Sequence, residues 1–215
     1  MKTHRLAMSA AIVAAIATTA CGTGVHKPQS YHLLDAVPAA PAAHATRAVV
    51  ASTLLVEPTT AEGFYDTQAI VYSRSPGTRA YYQLNSWTEP PGHRLDAVLI
   101  ERLDRSGAFA AVAPATAGVS GTFVLGTHLE EIYHDASTSP GEARIAVTAV
   151  LRDQARRTIV SQHRFSASVP VTTADAGGAV QAFDVALGRL LDEMADWTEQ
   201  AARSRTAMKT DQAFR

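Results

Sequence analysis

The sequence predicts an α+β domain in which two helices pack on one face of a mixed β-sheet. Three observations predict this fold class. Short runs typical of strands recur between residues 49 and 169. Two other stretches have apolar residues at helical spacing, one after Pro90-Pro91 and one at residues 180–197. The order strands, helix, strands, helix fits a single α+β domain, and no internal repeat is evident.

The first 21 residues have the pattern of a secretory signal that ends at a cysteine. A basic start leads into an apolar run, residues 6–17, which is followed by Thr18-Thr19-Ala20-Cys21. The run is shorter than the roughly 20 apolar residues of a membrane span. A cysteine at the cleavage site predicts a bacterial lipoprotein acylated at Cys21, although such signals usually carry Leu where Thr18 stands. Two alternatives stay open: an ordinary signal peptide cut near Ala20, and a retained signal anchor.

Composition limits the remaining possibilities. A chain of 215 residues, 47% of them apolar, suits one domain with a real core. Once the segment with Lys2 and Arg5 is removed, 17 basic residues face 20 acidic ones, which argues against nucleic-acid binding. With Cys21 acylated no cysteine remains for a disulfide, so packing alone must hold the fold. The expected parts are a signal peptide at 1–20, a tether at 21–30, the domain at 31–200 and a frayed basic tail at 201–215.

The first strands are predicted from apolar runs bounded by proline. A short strand is expected at residues 31–34 and a buried one at 49–56, which Pro58 ends. The Ala- and Pro-rich residues 37–46 between them cannot form a regular helix, so they predict a loop.

A hairpin with many aromatic residues should follow. Residues 67–73 and 80–87 are its strands, and Ser75-Pro76-Gly77 is typical of a tight turn. Alternation puts Tyr81 and Trp87 on one side of the second strand. The aromatic residues near this hairpin are Tyr65, Tyr72, Tyr81, Tyr82 and Trp87. They favour either packing against the core or an apolar patch for a partner, since Tyr and Trp are enriched at interfaces.

The remaining elements follow from proline, glycine and periodicity. Pro90-Pro91 predicts a helix start, and Ser106-Gly107 predicts its end. Strands are expected at residues 109–112, 122–133, 144–152 and 158–169. The last helix should be capped by Thr173 or Asp175. Its apolar stripe comprises Val180, Phe183, Leu187, Leu190, Leu191, Met194 and Trp197.

No familiar catalytic or cofactor motif occurs. The chain lacks Gly-x-Ser-x-Gly, a phosphate loop and His-Glu-x-x-His, so we expect neither an enzyme nor a cofactor. The best metal candidates are His128, Glu130 and His134, alternate residues on one predicted strand face. The two histidines would lie roughly 20 Å apart along a regular strand, so we predict no metal site and a solvated outer face.

Several segments together resemble a known family. They are residues 70–91, with Tyr81-Tyr82 and Trp87-Thr88-Glu89-Pro90-Pro91, then Tyr31-His32-Leu33-Leu34, the Leu-x-x-Ser-Gly-x-Phe run at 103–109, and Phe165 ahead of Pro170. In this order and spacing they resemble the ABC-type transport auxiliary lipoprotein family, which includes the paraquat-inducible protein C type. The resemblance extends from Tyr31 to about residue 199.

The resemblance implies a fold and a function. The fold would be similar to the N-terminal domain of TolB-like proteins. The function would be that of a non-catalytic periplasmic lipoprotein, anchored in the outer membrane. It would dock a mammalian-cell-entry (MCE) domain protein that works with an inner-membrane ABC permease and ATPase to move lipids. We expect partner contacts from the first helix and from Tyr72, Tyr81, Tyr82, Trp87, Glu89, Pro90 and Pro91.

Three other possibilities remain from the sequence. The domain could instead be a periplasmic lipid-binding module that carries acyl chains in an apolar pocket of its own. Association into a homo-oligomer would also suit exposed hairpin aromatics. A hydrolase would require a Ser–His or carboxylate pair within hydrogen-bond reach.

Overall fold

The computed structural model describes residues 29–36 and 50–213, with side chains as far as Met208. The predicted signal peptide, Cys21 and the predicted loop at 37–46 therefore lie outside the described residues. Within the described part, nine strands and two helices form one α+β unit. The strands are β1 (Ser30–His32), β2 (Val50–Val56), β3 (Thr60–Ala61), β4 (Ala69–Ser73), β5 (Ala80–Trp87), β6 (Phe109–Pro114), β7 (Phe123–Asp135), β8 (Glu142–Asp153) and β9 (Thr158–Pro170). The helices are α1 (Pro91–Arg105) and α2 (Ala176–Ala213).

Strand β7 is the hub of the sheet. It pairs antiparallel with β8 along its whole length, and β8 pairs antiparallel with β9. On its other side β7 pairs in parallel with β2, β3 and β4 in turn. Strand β5 forms the predicted hairpin with β4, β1 adds to β5 in parallel, and β6 adds to β2 in parallel. The predicted mixed sheet is confirmed.

Both helices bury their apolar stripes against the sheet in a single core. Helix α1 begins at Pro91 and ends before Gly107, whose φ of +64° suits a residue just after a helix. Helix α2 is capped by Asp175, whose Oδ1 accepts the Gly178 N–H at 2.8 Å. The two helices contact each other through the Arg102–Asp192 ion pair. Two helices on one face of a mixed sheet are the predicted fold class.

Helix α2 is longer than the sequence pattern predicted. It continues through the segment expected to fray and ends at Ala213. Ala202 is completely buried, and the Arg205 Nε donates to Asp153 at the β8–β9 turn at 3.3 Å. The prediction of a frayed tail is therefore wrong for the described part, because the buried stripe does not stop at Trp197.

Irregular pairing in β5 separates two aromatic residues that alternation placed together. Ala69 pairs with Ser86, whereas Val71 pairs with Tyr81. Five residues of advance along β5 therefore correspond to only two along β4. As a result Trp87 is 2% exposed in the core and Tyr81 is 43% exposed. The prediction that they share a side is wrong, because the extra residues shift the period-2 alternation.

A bulge in β7 has the same effect on the histidines. Leu129 pairs with Val147, but Glu131 pairs with Ala146, which leaves one extra residue on β7. His134 is consequently opposite Ala143 on the core side and is 1% exposed. The prediction that it shares the outer face with His128 is wrong.

Within the described residues, neither helix contains a stretch both long and apolar enough to cross a membrane.

Candidate docking surface

The β4–β5 hairpin is held by a tight turn that its sequence specifies. The Thr78 N–H donates to the Ser75 carbonyl at 3.2 Å, and Gly77 has a φ of +75°. Proline followed by a glycine with positive φ is the pattern of a type II turn. The turn connects two strands whose aromatic side chains project from opposite faces of the sheet.

The inner group of aromatic residues lies on the helix side of the hairpin. The Tyr72 and Tyr82 rings are 4.9 Å apart, and the Arg74 guanidinium lies 5.3 Å from the centre of the Tyr72 ring. Tyr82 also hydrogen-bonds His134 at 2.7 Å. These four residues line a cleft of about 170 Å³. Its remaining lining residues are Ala136, Thr138, Ser139, Pro140 and Ala174.

The hydrogen bonds of His134 define its tautomer when the ring is neutral. Its Nε2 lies 2.7 Å from the Pro140 carbonyl, which can only accept, so Nε2 carries the proton. Its Nδ1 then accepts from the Tyr82 hydroxyl. Burial, followed by the negative charge of Asp175, raises the pKa of Tyr82 to about 12, so this hydroxyl keeps its proton. Both imidazole nitrogens of His134 are therefore engaged in hydrogen bonds within the protein.

The outer group lies on the opposite face and includes one residue that the sequence did not indicate. Phe64 stacks on Tyr81 with ring centres 4.8 Å apart, and the two side chains are 40% and 43% exposed. Tyr65 is buried beneath them and meets Phe64 edge-on. The Arg79 Nε donates to the Tyr65 hydroxyl at 2.9 Å, and the Arg79 guanidinium lies 3.7 Å from the Tyr133 ring centre. Phe64 was missed because it belongs to a loop with no periodicity.

The predicted contact residues thus fall into three sets. Tyr72 and Tyr82 line the inner cleft, and Tyr81 belongs to the outer group. Trp87 is in the core against Phe183, and Pro91 is buried at the start of α1, so neither is accessible to a partner. Glu89 and Pro90 are half-buried between them.

The metal candidates are also separated. His128 lies 2.8 Å from the Thr60 hydroxyl and 3.3 Å from a Glu62 oxygen. Glu130 accepts hydrogen bonds from Thr148 and from the Arg164 Nε. Across the described residues no group of three His, Cys, Asp or Glu side chains is arranged to hold a metal ion.

The fold assigns the chain to a class of α+β domains with solved relatives. Protein XCC0632 from Xanthomonas campestris is 22% identical, with a TM-score of 0.73 over 82% of this chain and 99% of that one. A second, uncharacterized protein is 14% identical, with a TM-score of 0.61 over 81% of this chain and 99% of that one. The family model of the ABC-type transport auxiliary lipoprotein component matches residues 31–195, and the chain belongs to this family. No protein of curated function matches its sequence significantly.

Proposed function

We propose that this protein is a periplasmic lipoprotein, anchored in the outer membrane through Cys21, that docks an MCE-domain protein of an ABC lipid transport system. Family membership carries the proposal, because the matched segment begins at residue 31, ten positions after Cys21. The protein is a non-catalytic component in this proposal, which agrees with the engaged hydrogen bonds of His134 and Tyr82.

The inner cleft supports a docking role for the hairpin. Tyr and Arg are enriched among the residues that dominate protein–protein binding energies, and such residues cluster around pockets. Tyr72, Arg74 and Tyr82 bring this chemistry to one cleft, whose volume of about 170 Å³ suits one inserted side chain. We propose the MCE protein as the partner that inserts a side chain into this cleft.

The alternative, a module that carries lipid in its own pocket, has less support. Pockets for small ligands have volumes of about 300–1,000 Å³, and the inner cleft is smaller. The space between sheet and helices is filled by side chains with no exposed area, among them Leu54, Leu99, Leu125 and Leu187. Docking is therefore the better-supported function.

Site-specific crosslinking tests the docking surface. A photoreactive phenylalanine analogue replaces Tyr72 in the full chain, expressed in its native envelope, and Val119 is replaced in the matched control. Val119 is 51% exposed and belongs to the loop before β7, away from the hairpin. We expect a crosslink to the MCE protein or its permease from position 72 and none from position 119. Equal products at both positions, or none from position 72, would contradict this docking surface.

A separate experiment tests the anchor. Cys21→Ser removes the thiol that acylation requires, so we expect the variant to leave the membrane fraction while the parent stays. Mass spectrometry of the parent should show acyl chains on Cys21. Retention of the variant in the membrane would contradict a lipid anchor at this residue.

A further inference from the structure

Exposed apolar side chains are concentrated at one edge of the sheet. Eight large hydrophobic side chains are exposed among the described residues, and five of them belong to β1, β5 or the segments beside them. These five are Tyr31 (61% exposed), Leu33 (47%), Phe64 (40%), Tyr81 (43%) and Leu84 (41%). Scattered apolar residues are ordinary on a protein surface, but a cluster marks an interaction site.

The strand register puts the members of this cluster on one face. Tyr31 pairs with Ser86 in the parallel β1–β5 ladder, so their side chains point to the same side. Leu33 directly follows β1 and Leu84 lies two residues before Ser86 in β5, and both side chains are exposed beside this pair. His32 and Trp87 pair on the opposite side, where Trp87 enters the core.

Tyr81 reaches the same face through the other ladder. Ala69 pairs with Ser86 and Val71 pairs with Tyr81, and residues 69 and 71 share a side of β4. Phe64 joins the face by stacking on Tyr81. We call these five residues, Tyr31, Leu33, Phe64, Tyr81 and Leu84, the tether-side face.

The strands of this face carry no charged side chain. Strand β1 reads Ser-Tyr-His, and β5 reads Ala-Tyr-Tyr-Gln-Leu-Asn-Ser-Trp, without Asp, Glu, Lys or Arg. The long strands of the same sheet differ, since they carry ion pairs such as Arg164–Glu130 at 2.6 Å and Arg144–Asp135 at 3.2 Å. Burying the side chains of β1 and β5 would thus desolvate no ionised group of these two strands, and Arg79, which lies beside the outer group, already donates to the Tyr65 hydroxyl.

The chain between Cys21 and this face limits what can cover it. Eight residues, 22–29, separate Cys21 from Ser30. An extended chain spans at most 3.3–3.6 Å per residue, so β1 begins no more than about 30 Å from Cys21. If Cys21 is acylated, the start of β1, which contributes Tyr31 to the tether-side face, is always within that distance of the bilayer.

We propose that the tether-side face rests on the lipid surface to which Cys21 is anchored and so fixes the orientation of the domain. This rests on the lipid anchor of the proposed function. Tyr and Phe rings, apolar with a polar tip in the case of Tyr, are the side chains favoured at the headgroup level of membranes. Contact here leaves the inner cleft, on the opposite face of the sheet, directed away from the lipid and open to a partner.

Lipid-borne quenching measures this contact directly. Leu84→Cys in the full acylated chain carries an environment-sensitive fluorophore, and the protein is reconstituted in vesicles of phosphatidylethanolamine and phosphatidylglycerol. Ile159→Cys is the matched control, because Ile159 is also a large exposed hydrophobic residue, 63% exposed, but begins the distant β9 edge. Nitroxide-labelled lipid should quench the probe at position 84 at least about twofold more than at position 159, since interfacial side chains lie ~5–10 Å into the headgroup region.

The outcomes separate the two proposals. Equal, weak quenching at both positions in acylated, vesicle-bound protein would overturn the membrane contact and leave the anchor intact. If the probe at position 84 is shielded from water in the absence of lipid, and the shielding increases with protein concentration, a second copy covers the face. That result would overturn the membrane contact. A protein that carries no acyl chain by mass spectrometry, and does not bind vesicles, would instead overturn the anchor of the proposed function. Triple replacement Tyr31→Ser, Leu33→Ser and Leu84→Ser should bring quenching at a Ser86→Cys probe, which lies on the same side as Tyr31, down to the control level.

Discussion

Asp184 links helix α2 to the segment through which the tether enters the domain. Its Oδ1 accepts the backbone N–H of Asp35 at 2.9 Å. Burial is the main cause that raises the pKa of Asp184 to about 6, and the negative charge of Asp35 adds to it. The ionised form is thus disfavoured in the folded protein relative to an unfolded chain, where the pKa has its ordinary value of 3.8.

The sign and size of the effect on stability follow from this shift. Because the folded pKa is raised, the folded state binds more protons than the unfolded state between about pH 4 and pH 6. Stability is therefore highest below pH 4, declines as the pH rises to 6, and is constant above it as far as Asp184 is concerned. The difference between a pKa of 3.8 and a pKa of about 6 for Asp184 corresponds to at most about 3 kcal/mol in the free energy of unfolding. Because the side chain is only half-buried, we discount this to about 1–2 kcal/mol for solvent screening.

Asp184→Asn tests the reasoning. The amide oxygen can still accept the Asp35 N–H, but no charge has to be buried, so the variant should be about 1–2 kcal/mol more stable than the parent at pH 7 and equal to it near pH 4. Urea unfolding at a series of pH values, followed by Trp fluorescence, gives both curves. Asp175→Asn is the control, and its effect on the free energy of unfolding at pH 7 should have the opposite sign. The Gly178 N–H lowers the pKa of Asp175 in the folded state, so removal of this charge should destabilise the protein. A difference between Asp184→Asn and parent that does not change with pH would refute the argument.

Two further substitutions probe the inner cleft and the start of α2. Tyr82→Phe leaves the buried Nδ1 of His134 without its donor, so urea unfolding should show a loss of about 1–3 kcal/mol; no loss would mean that the bond is replaced by water. Gly178→Ala would push its Cβ against the Thr173 carbonyl oxygen, whereas the Cβ of Gly177→Ala meets only an ordinary contact. Thermal unfolding should therefore show a lower midpoint for Gly178→Ala, because its free energy of unfolding falls by about 1–3 kcal/mol, and a slightly higher midpoint for Gly177→Ala. Equal midpoints would contradict the close approach.

The elements of the fold were accessible from the sequence because each rests on local chemistry. The Ser75-Pro76-Gly77 turn, the Pro91 helix start and the Asp175 cap require only a few neighbouring residues. What the sequence could not supply is the parallel pairing of β7 with β2, β3 and β4, which depends on contacts between distant segments. Parallel partners leave no turn signal between them.

The candidate site was predicted less completely, and two insertions explain why. The extra residues in β5 move Trp87 into the core and leave Tyr81 outside, and the bulge in β7 turns His134 inward. Each changes the face of every later residue, since side chains alternate with a period of two. A sequence pattern that assumes uninterrupted strands therefore joined aromatic residues of two faces into one surface.

The attachment of the tether to the domain connects the two proposals. The Arg94 Nε on α1 donates to the Leu34 carbonyl at 2.9 Å, and Asp184 on α2 accepts from Asp35. The two helices thus hold Leu34 and Asp35, shortly after strand β1, and Leu34 is 3% exposed. A chain anchored at Cys21 would otherwise allow the domain to rotate freely on its tether. Because the entering segment is fixed to β5 and to both helices, contact between the tether-side face and lipid would orient the whole domain. Such a fixed orientation would direct the inner cleft towards the partner that we propose for it.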